Sequence, residues 1–342
     1  MDLSVIVPIY NSSEFLEKSL QSLKSQSLTK KDVEFILIDD GSNDSSLEIM
    51  KEFAEVDERF VIISRENRGY GATLNEGIEK ARGEYIGVLE PDDFIFGQMH
   101  FELLELAKKN DLDVIRSDYE KFWGQIGRKE YVSSEIKGTK SLEVFDPSIC
   151  SDCLFLEPAI WSMLFKKSLI TKHGIRALET PGATFQDTSF SFKLWACSKR
   201  AMHLNKAYVN YRQDNENSSI NNPGISEFVS YEYQEIFKFI NSNFDKDRKD
   251  SLYQMAMRRQ FLAYVWNYER LSKDVHLEFA KVAHADLKEG FDAGYFNENI
   301  YESWEISDLK LLVKSAEDFV KFKDSTPRIL RKIKHLKDKV KR

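Results

Sequence analysis

Residues 3–9 read LSVIVPI, and three further runs of the same kind follow: VEFILI at 33–38, FVII at 60–63 and YIGVL at 85–89. Each is nearly all apolar and rich in Val and Ile, the pattern of strands covered on both faces. They start at intervals of 30, 27 and 25 residues. Between them the apolar spacing becomes helical: Phe15, Leu16, Leu20 and Leu23 within 12–26; Leu47, Met50, Phe53 and Ala54 within 45–57; Leu74, Ile78 and Ala81 within 72–82. About 30 residues per repeat is the length of a βαβ unit, so the first ~90 residues predict a parallel sheet with crossover helices. Ligands of such sheets bind beyond the carboxyl ends of the strands. The residues that follow each strand are therefore the ones to inspect.

From about Leu112 the pattern turns to short mixed segments (DVIRSDY, EYVSSEI, AIWSMLF, AYVNYR). Asn222-Pro223-Gly224 predicts a boundary, after which helices are expected at 226–243, 246–271, 274–289 and 306–323. Past Pro327, residues Ile329, Ile333, Leu336 and Val340 form one apolar stripe on a basic helix.

The 342 residues suggest about two domains. With 42% hydrophobic and 31% charged residues, and only 7 Pro and 15 Gly, collagen-like and disordered chains are excluded. No run approaches the ~20 apolar residues of a spanning helix, and Met1-Asp2-Leu3-Ser4 lacks the basic start of a signal peptide, so the expected location is the cytoplasm. Three cysteines, Cys150, Cys153 and Cys197, give no disulfide framework, and the lone Cys150-x-x-Cys153 lacks the second ligand pair of a zinc site. Residues 326–342 hold eight Lys/Arg against Asp338, a local net of +7; with −7 overall, the other 325 residues carry −14. Such an acidic body disfavours general nucleic-acid binding, which needs a basic surface to displace counterions from phosphates. Any contact with a membrane surface falls to the tail.

After the first strand stands Pro8-Ile9-Tyr10-Asn11, after the second Asp39-Asp40-Gly41-Ser42, after the third Asn67-Arg68-Gly69-Tyr70-Gly71, and after the fourth Glu90-Pro91-Asp92-Asp93. Four aspartates and a glutamate at one sheet edge repel each other without a cation. Oxygen ligands of this kind suit Mn²⁺ or Mg²⁺, which completes its shell with water and substrate phosphates.

The stretches VIVPIYN (5–11), DDGSNDSS (39–46), NRGYGATLNEGIEKARGEYI (67–86) and LEPDD (89–93) closely resemble the family 2 glycosyltransferases with the GT-A fold. Downstream, WSMLFKKSLI (161–170), FQDTSFSFKL (185–194) and YRQDNENSSI (211–220) are similar to acceptor-side motifs of bacterial members that build surface polysaccharides. The resemblance implies an α/β, Rossmann-like GT-A domain, with a mainly parallel sheet and helices on both faces, followed by a helical C-terminal region. It divides the chain into a transferase domain at 1–222 (nucleotide-sugar binding at 1–110, acceptor side at 111–222), a helical region at 223–325 and the basic amphipathic tail at 326–342.

The same resemblance implies roles. Pro8, Tyr10, Asn11, Asp39 and Asp40 would hold base and ribose of a nucleotide-sugar donor, with Asn67, Gly69, Asn75, Glu90 and Asp92 completing that site. LEPDD matches the family's Leu-Asp-x-Asp-Asp metal stretch with Glu90 for the first Asp, which makes Asp92, Glu90 and Asp93 the candidate ligands. Leu74 stands where the family often has an Arg contacting donor phosphate. Asp187 matches the catalytic base, with Gln186 in place of its usual acidic neighbour, and Trp161, Gln186 and Arg212 are the acceptor-side candidates. The expected reaction is an inverting hexosyl or N-acetylhexosaminyl transfer from a UDP-sugar to a growing glycan or lipid-linked glycan. A carboxylate must take the acceptor proton as the hydroxyl attacks the anomeric carbon. A single displacement needs no covalent intermediate, unlike a retaining glycosidase.

Plainer structural readings compete at several positions. Asn11 with Glu14 fits a helix capping box, and Asp44-Ser45 and Asp187 fit helix caps. Glu90-Pro91-Asp92-Asp93 fits a turn, Trp161 a core residue, and Arg212 with Ser218 and Ser219 an exposed loop. Gly69-x-Gly71 fails as a dinucleotide fingerprint, because position 74 is Leu and the loop follows the third strand. Two rival functions remain beside the transferase: a non-catalytic carbohydrate- or membrane-binding module, and a sugar-phosphate nucleotidyltransferase, which would want a Gly-rich loop after strand one.

Overall fold

The computed structural model describes residues 1–215 and 225–325. Ser218, Ser219 and the 326–342 tail lie outside the described residues. The chain divides into two compact units, Met1–Asn222 and Pro223–Arg342.

The first unit opens with β1 (Leu3–Ile9), α1 (Ser13–Lys24), β2 (Val33–Asp39), α2 (Ser46–Val56), β3 (Phe60–Ser64), α3 (Tyr70–Lys80) and β4 (Tyr85–Val88). Every residue of β1, β2 and β4 is buried, which is why these runs carry no polar alternation. β1 pairs in parallel with β2 and β4, and β2 with β3, so the order β3-β2-β1-β4 brings all four carboxyl ends to one edge.

Then follow β5 (Phe94–Ile95), α4 (Met99–Asn110), β6 (Val114–Trp123), β7 (Arg128–Val132), β8 (Met163–Lys166), α5 (Lys167–His173), α6 (Gln186–Cys197) and β9 (Ala201–Arg212). The sheet continues from β4 as β8-β6-β9-β5, with β7 on β6. Here β6 and β9 are parallel, while β8 runs antiparallel to β4 and β6, β5 to β9 and β7 to β6. The parallel character is thus a property of the first four strands, and the whole nine-stranded sheet is mixed. A core of Leu3, Val5, Leu20, Phe35, Leu103 and Leu164 lies between sheet and helices. The β5–β9 ladder carries the chain after β4 to the start of the 211–215 segment, which lays Arg212 against the 90–93 turn.

The second unit is helical: α7 (Ile225–Asn243), α8 (Lys246–Tyr268), α9 (His276–Asp292), α10 (Ser303–Lys314) and α11 (Ala316–Ser325). The single helix expected at 306–323 is two, broken at Ser315, whose backbone is extended (φ −161°, ψ 125°). The cause is local: Ser315 Oγ accepts the backbone N–H of Asp318 at 3.1 Å and caps a new helix. No helix among the described residues is long and apolar enough to cross a membrane.

Candidate active site

The first two strand ends are tied together by short polar side chains. Asn11 has a left-handed backbone (φ 47°), and its Oδ1 accepts the N–H of Asn43 at 2.8 Å. It therefore does not form the expected capping box with Glu14; α1 starts at Ser13, and Ser12 is its N-cap residue. The capping oxygen comes from the neighbouring loop. Asp44 accepts the N–H of Ser13 (2.9 Å) and of Ser46 (3.0 Å), serving α1 and α2 at once. Pro8 is buried within β1, and Tyr10 is 49% exposed just beyond it.

Asp39 ends β2 and accepts from the N–H of Ser42 (2.9 Å) and the hydroxyl of Ser64 (2.8 Å). Asp40 accepts from Arg65 Nη1 and from the N–H groups of Arg68 and Gly69, both at 2.8 Å. Arg65 also donates to Glu76 (2.6 Å) and Thr73 (2.9 Å), which locks the third strand end to α3. Asn67 is exposed on that loop. Gly69 has φ +88°, and a Cβ there would meet Thr180 O at 2.9 Å; a Cβ on Gly71 would meet Leu178 O at 2.0 Å. Only glycine lets this loop lie against the 178–182 segment.

Asn75 was expected in the donor site. It is buried instead, and its amide donates to Ala177 O (2.9 Å) and Glu179 Oε1 (3.0 Å) while its Oδ1 accepts the N–H of Ala177 (2.9 Å). Leu74 is fully buried.

Beyond β4, Glu90 Oε1 accepts the Tyr70 hydroxyl at 2.6 Å. Burial first, and the charges of Asp92 and Asp187 after it, push the Glu90 carboxyl up to about 8 against the pull of the Tyr70 hydroxyl. Asp92 accepts from Asn215 Nδ2 at 2.8 Å, and burial raises its carboxyl too. Asp93 behaves differently: it is 1% exposed, its Oδ1 accepts the N–H of Arg212 at 2.7 Å, and its Oδ2 has no hydrogen-bond partner among the described residues. Burial, and next the charge of Asp92, raise its carboxyl well above the usual range. The expected ligand triple Glu90–Asp92–Asp93 is therefore not assembled. No group of three or more His, Cys, Asp or Glu side chains that could hold a metal ion occurs among the described residues. Glu90 and Asp92, a half-buried and mutually repelling pair, still fit a divalent cation, which needs only one or two carboxylates.

Asp187 sits in the first turn of α6, one residue inside Gln186, so it is not the N-cap; that residue is Phe185, held in a left-handed conformation (φ 62°). Bulky residues adopt this conformation at a cost of ~1–3 kcal/mol, a strain found often at functional sites. The start of a helix favours the negative charge of Asp187. The buried Gln186 amide is spent on its own loop, accepting the N–H of Thr184 (2.6 Å) and donating to Thr180 Oγ1 (2.9 Å) and Gly182 O (3.0 Å). Arg212 is no exposed loop residue: its side chain is 9% exposed, donates to Asp92 O (3.0 Å) and lies over the Phe15 ring at 4.2 Å. Trp161 is 6% exposed, wedged between Tyr119 and Tyr211 with ring centroids 4.7 and 4.8 Å away. It is a core residue that supports Tyr211.

Two tyrosines reveal how the loops converge. The Tyr70 phenol is raised by burial and then by the charges of Glu90, Asp187 and Asp93. The Tyr211 phenol is raised by burial and then by Asp93, Glu157, Asp187 and Asp92. Asp187, almost a hundred residues on in the chain, thus lies within electrostatic reach of Glu90 and of the tyrosines beside the 90–93 turn. Neither tyrosine was singled out from the sequence. Both stand beside residues that were, Tyr70 after Gly69 and Tyr211 before Arg212, and a polar ring next to a candidate carboxylate is the signal that could have found them.

Residues 4–154 match the family model described as glycosyl transferase family 2. The chain is 28% identical to the uncharacterized glycosyltransferase EpsJ of Bacillus subtilis over 70% of each chain. It is 28% identical to the poly(ribitol-phosphate) beta-glucosyltransferase of Bacillus spizizenii over 76% of this chain, but spans only 40% of that longer protein. Among solved structures, residues 1–349 of TarS from S. aureus in complex with UDP-GlcNAc superimpose with a TM-score of 0.76 at 19% identity, covering 95% of this chain and 91% of that one. The last likeness concerns the fold alone. The sheet and the converging strand ends agree with the match of residues 4–154 to glycosyl transferase family 2, and the chain has the GT-A fold.

Proposed function

We propose that the protein is an inverting glycosyltransferase that moves a hexose or N-acetylhexosamine from a UDP-sugar to a hydroxyl of a bacterial cell-surface glycan, with Asp187 as base. The observation that carries this is that Tyr70, whose hydroxyl donates to Glu90 at 2.6 Å, and Tyr211, beside Arg212 on the 90–93 turn, both feel the charge of Asp187 together with that of the turn's carboxylates. The choice of donor and acceptor class draws support from the UDP-GlcNAc complex of TarS and from the name of the poly(ribitol-phosphate) relative.

In this reading the loops after β1, β2 and β3 bind the nucleotide. A carboxylate offers about four lone-pair directions, and Asp40 spends three, leaving one for a ring N–H of the base. Asp187 accepts the proton of the acceptor hydroxyl as that oxygen bonds to the anomeric carbon; the bond from that carbon to the diphosphate oxygen breaks, and the nucleoside diphosphate leaves with the electron pair. Attack from the far side inverts the centre. Glu90 and Asp92 would hold Mn²⁺ or Mg²⁺, which when bound supplies Lewis-acid stabilisation of the leaving diphosphate. Buried Arg212, anchored on Asp92 O and Asp93, keeps the 90–93 turn in place.

The test is Asp187→Asn. Transfer is expected to fall ~10²-fold or more, the range for losing a positioned base. Donor affinity should be nearly unchanged, and so should the melting temperature, since the residue is not the helix cap. Transfer within threefold of the parent would remove Asp187 from this role.

A further inference from the structure

The segment 177–184 runs directly into Asp187, and its backbone is gripped from α3. Asn75, buried at 3% exposure, makes a paired contact with Ala177, donating to its carbonyl and accepting from its N–H, each at 2.9 Å. The same amide donates to Glu179 Oε1 at 3.0 Å. One helical turn earlier, the N–H of Tyr70 donates to Gly182 O at 3.2 Å, and Gly71 lies so close to Leu178 O that no Cβ fits. At the far end Gln186 closes the segment on itself through Thr180, Gly182 and Thr184. The strained Phe185 follows at once, and then the first turn of α6.

A strained residue holds its conformation only when its surroundings over-determine it. Those surroundings are the 177–184 segment, and its one side-chain anchor to α3 from the buried interior is Asn75 with its Glu179 partner. We propose that Asn75 is a positioning residue for Asp187: it clamps 177–184 so that α6 begins where the carboxylate reaches the acceptor hydroxyl, and it does not itself bind the donor. The inference rests on Asp187 being the base. It also makes the donor loop 67–71 and the base-bearing segment one packed body, so that donor site and base are built against each other.

The test exchanges donor and acceptor across the clamp. Asn75→Asp keeps the shape and the bond from the Ala177 N–H, but sets a carboxylate against Ala177 O and Glu179. Misplacement of a reacting group by about 1 Å costs up to ~10²-fold, so kcat for transfer should fall ~10- to 100-fold. The donor Kd, read by calorimetry with UDP, should stay within about twofold on the same principle, since no donor contact is lost. Adding Glu179→Gln, whose amide donates to the new carboxylate, should restore most of kcat, while Glu179→Gln alone should stay near the parent. If Asn75→Asp does not fold, Asn75→Ser, which shortens the clamp without adding charge, carries the same reading. A weakened donor Kd with kcat preserved would return Asn75 to the donor site and overturn the proposal. Failure of Glu179→Gln to rescue, or parent-like transfer by the single variant, would overturn it as well. Activity of Asp187→Asn is measured beside these: parent-like transfer there refutes the base itself, whereas a dead Asp187→Asn with an unaffected Asn75→Asp refutes the clamp alone.

Discussion

Asp92 and Asp93 are chain neighbours with different surroundings. Asp92 is half-buried and held from one side by Asn215, whereas Asp93 is turned inward to the N–H of Arg212 with one oxygen unpartnered. Removing a buried hydrogen-bonding partner strands the other group at a cost of ~1–3 kcal/mol, so Asp93→Ala should lower the melting temperature by several degrees. Asp92→Ala should leave folding nearly intact and weaken UDP-sugar binding in Mn²⁺, and excess EDTA should reduce parent binding to the level of that variant. Thermal unfolding and calorimetric titration with and without EDTA check both. Full turnover in EDTA would sink the cation assignment. From the sequence the three acids of LEPDD are alike, and their unequal fates were not legible there, because the partner that turns Asp93 inward lies 119 residues away. The grips of Asn75 on Ala177 and of Gln186 on its own loop were not legible either, because an amide in a motif does not name the segment it holds. The positions of Asp39 and Asp40 at a strand end and of Asp187 at a helix start were legible because these are local features.

The helices and strands divide along the same line. β1 to β4 and α1 to α3 were readable since β1, β2 and β4 are buried on both faces, the half-buried β3 is still an apolar run, and each connection is one helix long. The antiparallel half was not: β8 inserts between β4 and β6 from far along the chain, and no periodicity names a strand's neighbour. The break at Ser315 did carry a signal, Ser-Ala-Glu-Asp at 315–318, a capping pattern inside an otherwise continuous apolar spacing. Asp44 tests how much such caps matter. Burial pushes its carboxyl up, but hydrogen bonds from Ser46 and Ser13 outweigh burial and hold it down at about 2. Since the unfolded value is ~3.9, the stabilisation is complete above about pH 5 and is lost as pH falls toward the folded value. Asp44→Ala should cost ~1–2 kcal/mol at pH 7, because one carboxylate caps two helices. Urea midpoints should show that gap roughly halved at pH 3. A gap independent of pH would mean the caps contribute nothing through charge.

The whole molecule is an acidic body with a basic end: +7 in residues 326–342 against −14 elsewhere. An anionic surface repels the body and attracts the tail, so we propose that contact with a membrane carrying a lipid-linked acceptor runs through the tail. Each Lys or Arg near such a surface contributes ~1 kcal/mol, which makes eight of them, less one acid, enough to hold the chain there reversibly. The apolar residues Ile329, Ile333, Leu336 and Val340 would add burial in the headgroup region, and neither contribution would approach that of a spanning helix. Deletion of 326–342 should therefore release the protein from phosphatidylserine vesicles in flotation assays while hydrolysis of UDP-sugar continues. The charge part should weaken as salt rises and the screening length falls below ~8 Å. Ile333→Glu with Leu336→Glu should weaken binding at every salt concentration, because it removes apolar burial and adds like charge to the surface. Neutral phosphatidylcholine vesicles separate the two contributions: the parent should bind them weakly, through the stripe alone, and the double variant not at all. Equal binding of anionic vesicles with and without the tail would place the contact elsewhere on the protein and leave the charge asymmetry without this role.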